Sequence, residues 1–270
     1  MIITLSILGL FLIGFVIKRI QASRIFRKEV RTLFSQSKNI STHAFHKNQL
    51  NKLPEPVQRY FNHVLKEGKP YTSYVRIKHV GQFKTGIGKN WVNIKGEQYA
   101  TTEKPGFIWK GTTSTFVAKD MYLADKGRLA VSLLSMVNVV NATGEQYDQG
   151  ELLRWLGESV MYPTNLLPSD RLKWSAIDSN TAKLNYNYKE HSLFFKITFN
   201  EIGEITEMET QRYMDKKNLE TWLIKTTDYK LFNNVLIPTA FDVSWKLEKG
   251  DFCYAKFTIT DVEYNKPERF

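Results

Sequence analysis

The sequence predicts an α+β protein: a curved antiparallel β-sheet, an incomplete barrel, encloses a helix and follows an N-terminal transmembrane helix. Three observations predict it. Residues 2–17 carry no charge, residues 54–66 have the apolar period of a helix, and the chain after residue 70 alternates apolar and polar residues. With 270 residues, 42% of them hydrophobic, the chain can bury a core of ordinary size. Its single cysteine, Cys253, excludes internal disulfides and multi-cysteine metal sites.

The first element is the uncharged run of residues 2–17, which Lys18 and Arg19 follow directly. At about 1.5 Å per residue a helix of this length spans roughly 24 Å. Ile20 and the aliphatic stems of the two basic residues extend it toward the ~30 Å of a bilayer core. A cleavable signal peptide, the competing interpretation, has basic residues before its apolar run, and none is present here. We therefore expect an uncleaved single-pass anchor over residues 1–20.

Residues 21–52 are predicted to form a basic amphipathic juxtamembrane segment and a linker. One helical face is apolar and the opposite face is basic, which suits an anionic membrane surface. The alternative is a solvated helix that only connects anchor and domain. The apolar face consists of Phe26, Val30, Leu33 and Phe34. The residues expected at the membrane surface are Lys18, Arg19, Arg24, Arg27, Lys28 and Arg31.

The charge distribution bears on partners and location. Of the net charge of +11, residues 1–52 hold +8 (nine basic residues and one acid), which leaves +3 for the rest. The folded part lacks the basic face and the motifs of a nucleic-acid-binding domain, so we expect membrane lipids and no nucleic acid as partners. Because the basic residues follow the anchor, the positive-inside rule places the large domain in the cytoplasm.

Residues 53–270 are predicted to form the β-rich domain, which begins with a helix over residues 54–66. Pro54 suits the first turn, and Gly68 and Pro70 end the helix. Its apolar positions recur at helical spacing, so one face must be buried. They are Val57, Tyr60, Phe61, Val64 and Leu65.

After residue 70 the apolar period changes to two, which is typical of antiparallel strands with one wet face. Turn residues such as Asn233-Asn234 and Lys249-Gly250-Asp251 separate the alternating segments. Strands are predicted at 72–84, 90–102, 106–117, 128–140, 182–188, 193–199, 205–213, 219–231, 241–247 and 252–264.

A helix over residues 148–160 interrupts the strands. Asp148 and Glu151 have the spacing of a capping box, and an apolar stripe of leucines follows. Its place between strands suggests a helix laid across the concave face of the sheet.

The candidate binding site is the concave face itself, because the chain has more aromatic residues than a simple sheet needs. Such a surface suits an acyl chain or another hydrophobic ligand. The alternative is that the two helices fill the concavity completely. The residues expected to contact ligand are Trp109, Tyr186, Phe195, Phe199, Phe241 and Trp245.

Catalytic and metal sites are not expected. His43 and His46 have a spacing that places both on one helical face, but no third ligand is evident. Capping explains Asp148 and Glu151, and no nucleophile elbow or phosphate loop is present. We expect no cofactor.

Two segments resemble Lol-type lipoprotein carriers: Glu97-Gln98-Tyr99 leading into Lys104-Pro-Gly-Phe-Ile-Trp-Lys110, and Tyr229 to Pro238. Residues 50–265, including Gly150 to Leu156 and Tyr162-Pro-Thr164, resemble more closely an uncharacterised family of bacterial membrane-anchored proteins. The carrier resemblance implies an incomplete antiparallel barrel around a helix, with an apolar cavity. It also implies a periplasmic or extracellular domain on the bacterial cytoplasmic membrane, opposite to the positive-inside prediction.

Together these features favour a membrane-anchored, non-catalytic module that binds a lipid, a lipopeptide or another hydrophobic ligand. One alternative is a structural or partner-binding domain with a filled core. The other is a hydrolase-like enzyme that uses Glu151 or Glu158.

Overall fold

The computed structural model describes residues 2–37, 39–134 and 137–270, and for residues 2–12 the backbone only. This part of the chain contains three α-helices, α1 (Ile2–Ser35), α2 (Glu55–Val64) and α3 (Glu145–Glu158). Short 3₁₀ turns cover Lys47–Leu50, Ser159–Met161 and Pro163–Leu166.

The described residues form thirteen strands, all in one antiparallel sheet. The strands are β1 (Tyr74–Phe83), β2 (Val92–Thr101), β3 (Gly106–Thr112), β4 (Phe116–Leu123), β5 (Lys126–Leu133), β6 (Val137–Thr143), β7 (Leu172–Ala176), β8 (Thr181–Tyr188), β9 (His191–Phe199), β10 (Ile205–Tyr213), β11 (Leu219–Phe232), β12 (Val235–Leu247) and β13 (Gly250–Tyr264).

The sheet consists of two meanders, and the first strand of one pairs with the last strand of the other. Strands β1–β6 follow one another as neighbours, and so do β7–β13. Strand β1 pairs with β13, so that Val75 lies opposite Tyr264 and Phe83 opposite Ala255. The outer strands β6 and β7 do not pair with each other, and the sheet is therefore open.

Helix α3 lies in the connection between the two outer strands, and its central residues are buried. It contacts β3–β6 in the first meander and β9 and β10 in the second. The indole Nε1 of Trp155 donates a 2.8 Å hydrogen bond to the carbonyl of Thr101, which fixes the helix against β2. The predicted α+β class, a large curved antiparallel sheet with a helix against it, is confirmed.

Helix α2 packs at one end of the sheet through the face that its apolar spacing predicts. Its buried residues include Val57, Tyr60, Phe61 and Val64. The ring of Tyr60 lies 5.8 Å from that of Phe199 between centroids.

Helix α1 differs from the prediction because its apolar face packs on the protein. Phe26, Val30, Leu33 and Phe34 are buried in a small cluster on the convex side of the sheet. Phe34 meets the rings of Tyr74 and Tyr99 at 5.5 and 6.0 Å. Glu29 accepts hydrogen bonds of 2.6 and 2.7 Å from Lys119 on β4.

The transmembrane anchor predicted over residues 1–20 is not supported. Within the described part of the chain, none of the helices combines the length and the apolar character that crossing a bilayer requires. Residue 1 and the side chains of residues 2–12, on which most of the predicted span falls, lie outside what the structure describes.

The segment predicted as a polar linker, residues 36–52, is docked on the domain. Phe45 and Leu50 are buried in the main core, and Ala44 forms an isolated bridge with Pro70. Backbone hydrogen bonds also hold it, from the N–H of Phe45 to the carbonyl of Lys69 at 2.8 Å and from the N–H of Tyr71 to the carbonyl of His43 at 2.9 Å.

Two predicted strands are in fact hairpins. Residues 106–117 contain all of β3 and the start of β4, and residues 128–140 contain most of β5 and part of β6. The Thr113–Thr115 turn lies in a Ser/Thr run that is itself a turn signal and was overlooked, whereas Leu134 in the second turn gives no such signal. Leu134 has a positive φ of 48° in the second turn, a conformation that leucine rarely adopts. Strand β7 was not predicted.

Candidate functional site: an apolar cavity with a charged inner end

The concave face of the sheet and α3 enclose a cavity of about 480 Å³, called here the concave cavity. Inward-facing residues of β1–β6 form one wall and those of β10–β13 the other, while α3 closes the inner side. The two predicted helices therefore do not fill the concavity. The volume lies within the range of roughly 300–1,000 Å³ that small-molecule sites occupy.

Most of the lining is aliphatic or aromatic, and alternation along the strands places these side chains on one face. On β4, Phe116, Ala118 and Asp120 face the cavity, while the intervening Lys119 binds Glu29 of α1 on the other face. The apolar lining residues are Ile77, Phe83, Ile94, Trp109, Phe116, Ala118, Leu129, Val131, Leu133, Val140, Met161, Trp222, Ile224, Phe241, Val243, Ala255, Phe257 and Ile259.

The inner end of the cavity holds a group of charged side chains, called here the charged cluster: Asp120, Glu151, Arg154, Glu158 and Arg212. Arg154 binds Asp120 through Nη1 and donates from Nε to Glu158 at 2.8 Å. Arg212 donates from Nη2 to Glu151 at 3.2 Å. The cluster thus joins α3 to β4 on one side and to β10 on the other.

Some of the remaining hydrogen-bonding groups of the charged cluster are bonded to polar neighbours. Gln98 donates a 2.6 Å hydrogen bond to Glu158, and Arg212 donates from Nε to the carbonyl of Gly150 at 3.0 Å. Within the described residues, Oδ1 of Asp120 and Oε2 of Glu151 have no hydrogen-bond partner. Asp120 also lines the cavity, although its unpartnered Oδ1 is itself buried.

The charged cluster holds three carboxyl groups and two guanidinium groups. Burial and, to a smaller extent, the nearby charge of Asp120 raise the pKa of Glu151 to about 8 against the opposing effect of Arg212. Burial also raises the pKa of Asp120, against the pull of Arg154. Near neutral pH Glu151 therefore holds its proton next to an apolar space.

The capping-box prediction for Asp148 and Glu151 was wrong. Helix α3 begins at Glu145 after Gly144, so both residues lie inside it. Asp148 accepts hydrogen bonds from the backbone N–H of Gly127 at 2.7 Å and from Lys126 at 2.8 Å. Its carboxylate therefore ties α3 to the β4–β5 hairpin.

His79 and Trp109 form a polar pair in the apolar wall. Trp109 donates from Nε1 to Nε2 of His79 at 2.7 Å, and the two rings are stacked with an interplanar angle of 6°. Burial, with the repulsion of Arg154, lowers the pKa of His79 to about 4. The ring is therefore neutral and its Nε2 is free to accept.

The structure brings two of the six predicted ligand residues, Trp109 and Phe241, into the concave cavity. Phe195 lies against Gly157 of α3, and Phe199 lies 6.3 Å from Trp174 between ring centroids. The predicted role of these residues stays a prediction.

The other two predicted ligand residues also lie outside the concave cavity. Trp245 faces the same side of β12 as Phe241 and pairs with Trp222, so it lies beside the cavity lining, with its ring centroid 6.4 Å from that of Trp222. Tyr186 lines a second depression, an open groove of about 1070 Å³ formed largely by loop residues 39–43, 71–74 and 164–172. Their predicted contact with ligand is likewise untested.

The six basic residues predicted at a membrane surface are all exposed on α1. They are Lys18, Arg19, Arg24, Arg27, Lys28 and Arg31. His46, from the His43–His46 pair, binds Glu67 through Nδ1 at 2.6 Å instead of turning toward His43.

Sequence reasoning named Glu151 and Glu158 of the charged cluster but missed Asp120, Arg154 and Arg212. The spacing of Arg154 and Glu158 on α3 is the i,i+4 spacing of an ion pair, and it was visible in the sequence. Asp120 is a charged residue at an inward-facing position of β4, after the apolar Phe116 and Ala118. This pattern could have identified it as a site residue only if β4 had been predicted as a separate strand. No sequence pattern connects Arg212 to Glu151, since only the fold places β10 beside α3.

Comparison with known proteins agrees with the family expected from the sequence. Residues 43–257 match the family model described as a family of unknown function, DUF6544. The chain belongs to this family. None of the curated proteins matches the DUF6544 chain.

Among solved structures, the DUF6544 chain is similar to a LolA superfamily protein from Nitrosomonas europaea, with 9% identity and a TM-score of 0.44. That match covers 78% of this chain and 92% of the other. It is also similar to an outer membrane lipoprotein-sorting protein domain from Vibrio parahaemolyticus, with 8% identity and a TM-score of 0.39, over 72% of this chain and 86% of the other.

Proposed function

We propose that this DUF6544 protein is a non-catalytic module that binds the apolar part of a lipid, a lipopeptide or a similar hydrophobic molecule in the concave cavity. The observation that carries the proposal is the cavity itself, about 480 Å³ of space walled by aliphatic and aromatic side chains. Such a space in water favours an apolar occupant, because filling it removes apolar surface from water on both partners.

The geometry favours this function over the two alternatives. A structural domain with a filled core has no need of a cavity of this size. A hydrolase needs a carboxyl group that can reach a substrate in the cavity, whereas Glu151 does not line the cavity and Glu158 is bonded to Arg154 and Gln98.

The proposal includes attachment to a bacterial membrane through residues 1–20. It is supported by the uncharged run of residues 2–17 and by the six exposed basic residues along α1. Basic residues near an anionic bilayer contribute about 1 kcal/mol each to attachment. Extraction of isolated membranes with carbonate tests this part: the protein should stay in the membrane pellet, and its release into the supernatant would contradict attachment by this segment.

Blocking the cavity tests ligand binding. Ala118 faces the cavity from the middle of β4, so Ala118→Phe should place a ring inside it. We expect the variant to lose at least about tenfold in affinity for anilinonaphthalene sulfonate, a fluorescent apolar probe, in a fluorescence titration. Native mass spectrometry with lipid extraction should show a bound lipid in the wild type and little or none in the variant.

The matched control is Val117→Phe, one residue earlier on the same strand and facing away from the cavity. It should bind the probe like the wild type. Equal affinity in all three proteins, or no uptake of probe or lipid by the wild type, would contradict the proposed function.

A further inference from the structure

The concave cavity opens at one end of the sheet. The most exposed of its lining residues, Thr85, Leu133 and Val140, belong to the β1–β2 and β5–β6 hairpins. These hairpins turn at the same end, because Phe83 pairs with Val92 and Leu133 with Val137. Asp120 lies four residues inward from Phe116 at the start of β4, about 13 Å from this end at ~3.3 Å per residue.

Exposed aliphatic side chains gather around the opening. Ile87, at the β1–β2 turn, is 66% exposed and Val137, at the start of β6, is 60% exposed. Leu133, Leu134, Val139 and Val140 of the β5–β6 hairpin are exposed as well. We call this region the mouth surface; it consists of residues 84–91 together with Leu133, Leu134, Val137, Val139 and Val140. Apolar side chains that are exposed together mark an interaction site more often than scattered ones do.

The charges of the mouth surface have one sign. The turn of residues 84–91 carries Lys84 and Lys89 and no carboxylate, and residues 132–134 and 137–141 carry no charge. A surface that is apolar and positive complements an anionic lipid bilayer.

Helix α1 points toward the same end of the sheet. Phe34 packs on Tyr74, at the start of β1, which is the end opposite the mouth surface. Glu29 binds Lys119, which pairs with Ala130 in the middle of β5. Lys18 lies a further eleven residues along the helix, or about 16 Å at 1.5 Å per residue, whereas only about 10 Å of β4 remains in that direction.

The helix also crosses from β1 at Phe34 to β4 at Glu29, so toward its N-terminus it leaves the sheet on the β5–β6 side of the mouth end. Among the residues there whose side chains the structure describes, Ile13, Val16, Ile17 and Ile20 are exposed, next to Lys18 and Arg19.

We propose that the mouth surface and the N-terminal half of α1 form one docking surface for an anionic lipid bilayer, so that the concave cavity opens directly onto the membrane. Direct passage of a lipid from bilayer to cavity rests on the proposed function. The docking itself is independent of what the cavity holds.

Fluorescence at single positions of the full chain tests the docking. In a Cys253→Ser background, Ile87→Cys carries an environment-sensitive nitrobenzoxadiazole label, and the protein is added to vesicles of equimolar phosphatidylglycerol and phosphatidylcholine. We expect a blue shift on vesicle binding and quenching of at least about twofold by lipids that carry a doxyl group in the acyl chain.

The matched control is the same label at Ile202→Cys. Ile202 is 59% exposed and lies in the β9–β10 turn at the opposite end, where Gly203 approaches Arg59 of α2. This label should show neither effect, although the protein is bound to the same vesicles. Adding Lys84→Glu and Lys89→Glu to the Ile87→Cys protein should weaken the response.

Three results would overturn the proposal. One is vesicle binding without a response at position 87, which would show that the mouth faces water. Another is an equal response at 87 and 202. The third is a shift at 87 that depends on protein concentration in the absence of vesicles, which would assign the mouth surface to a second copy of the chain.

Discussion

Single polar residues decide how α3 is held against an otherwise apolar sheet. Arg154 and Arg212 bind carboxyl groups from opposite sides of the helix, and both guanidinium groups also lie over aromatic rings of the cavity wall. Arg154 is 4.8 Å from the centroid of Trp109, and Arg212 is 4.6 Å from that of Trp222. Removing either arginine leaves buried carboxyl groups without their hydrogen-bond partner, which makes these residues more costly to lose than the members of an exposed pair.

The raised pKa of Glu151 predicts a pH-dependent stability. Between its ordinary value of 4.5 and about 8, the folded protein holds a proton that the unfolded chain has released. The free energy of unfolding should therefore fall as pH rises through this window, by at most about 1.4 kcal/mol per pH unit. Glu151→Gln cannot titrate, so it should gain stability relative to the wild type from pH 5 to pH 8 in urea unfolding.

Because the pKa of His79 is lowered, His79 makes the free energy of unfolding rise with pH below its ordinary pKa of 6.5. The wild type and Glu151→Gln both contain His79, so this effect cancels in the difference between them. Glu145→Gln, at the exposed first turn of the same helix, is the control and should follow the wild type at every pH. A constant difference between Glu151→Gln and the wild type would show that Glu151 is ionised in the folded protein.

At the scale of elements, α1 is more than a connector. Its C-terminal half is held on the convex face by four buried apolar side chains and by the ion pair of Glu29 with Lys119. The amphipathic pattern that suggested a membrane-facing helix is the same pattern that a helix docked on a sheet requires. The pattern identifies the buried face, and the tertiary structure determines what covers it.

Leu33 tests whether this docking contributes to stability. Its side chain is fully buried and lies close to Gly106 of β3. Leu33→Ala should reduce the free energy of unfolding by about 2–5 kcal/mol, measured by urea unfolding in mild detergent.

Ile25→Ala, on the same helix but 56% exposed, is the matched control and should stay within about 0.5 kcal/mol of the wild type. Equal losses in the two variants would mean that the helix does not pack on the sheet in solution.

On the scale of the whole molecule, α3 is the element that both meanders share. It packs closely on β5, where a Cβ atom added to Gly127 would lie 2.1 Å from the carbonyl oxygen of Tyr147. Through Arg212 it is also bound to β10 in the other meander. We therefore expect the two halves of the sheet to lose stability together when α3 is displaced.

Gly127→Ala provides this displacement and should lower the free energy of unfolding by more than about 2 kcal/mol. Hydrogen exchange should show the same loss of protection in β8–β10 as in β4–β6. Gly86→Ala is the control, because an added Cβ there meets nothing closer than 3.8 Å. Loss of protection confined to β4–β6 would show that the halves unfold independently.

Local sequence patterns were sufficient to predict most of the helices and strands. Helix α2 was predicted from the apolar spacing at Val57, Tyr60, Phe61 and Val64, and strand β10 was predicted with its observed bounds, 205–213. Both predictions depend on which face of the helix or strand is buried, and the spacing of apolar residues along the chain identifies that face. The fold class and the family could therefore be stated before any coordinates.

The cavity and its charged inner end are tertiary properties. Trp109 and Phe241 line the cavity while Trp245 lies beside the lining on the same face of the sheet, and all three have the same alternating pattern in the sequence. Arg212 meets Glu151 only because the chain returns β10 to α3 after 61 residues. By itself the sequence determined the periodicity, the charge distribution and the family of this protein. Only the tertiary structure decided where empty space remains and which charges share it, because both depend on contacts between residues far apart in the chain.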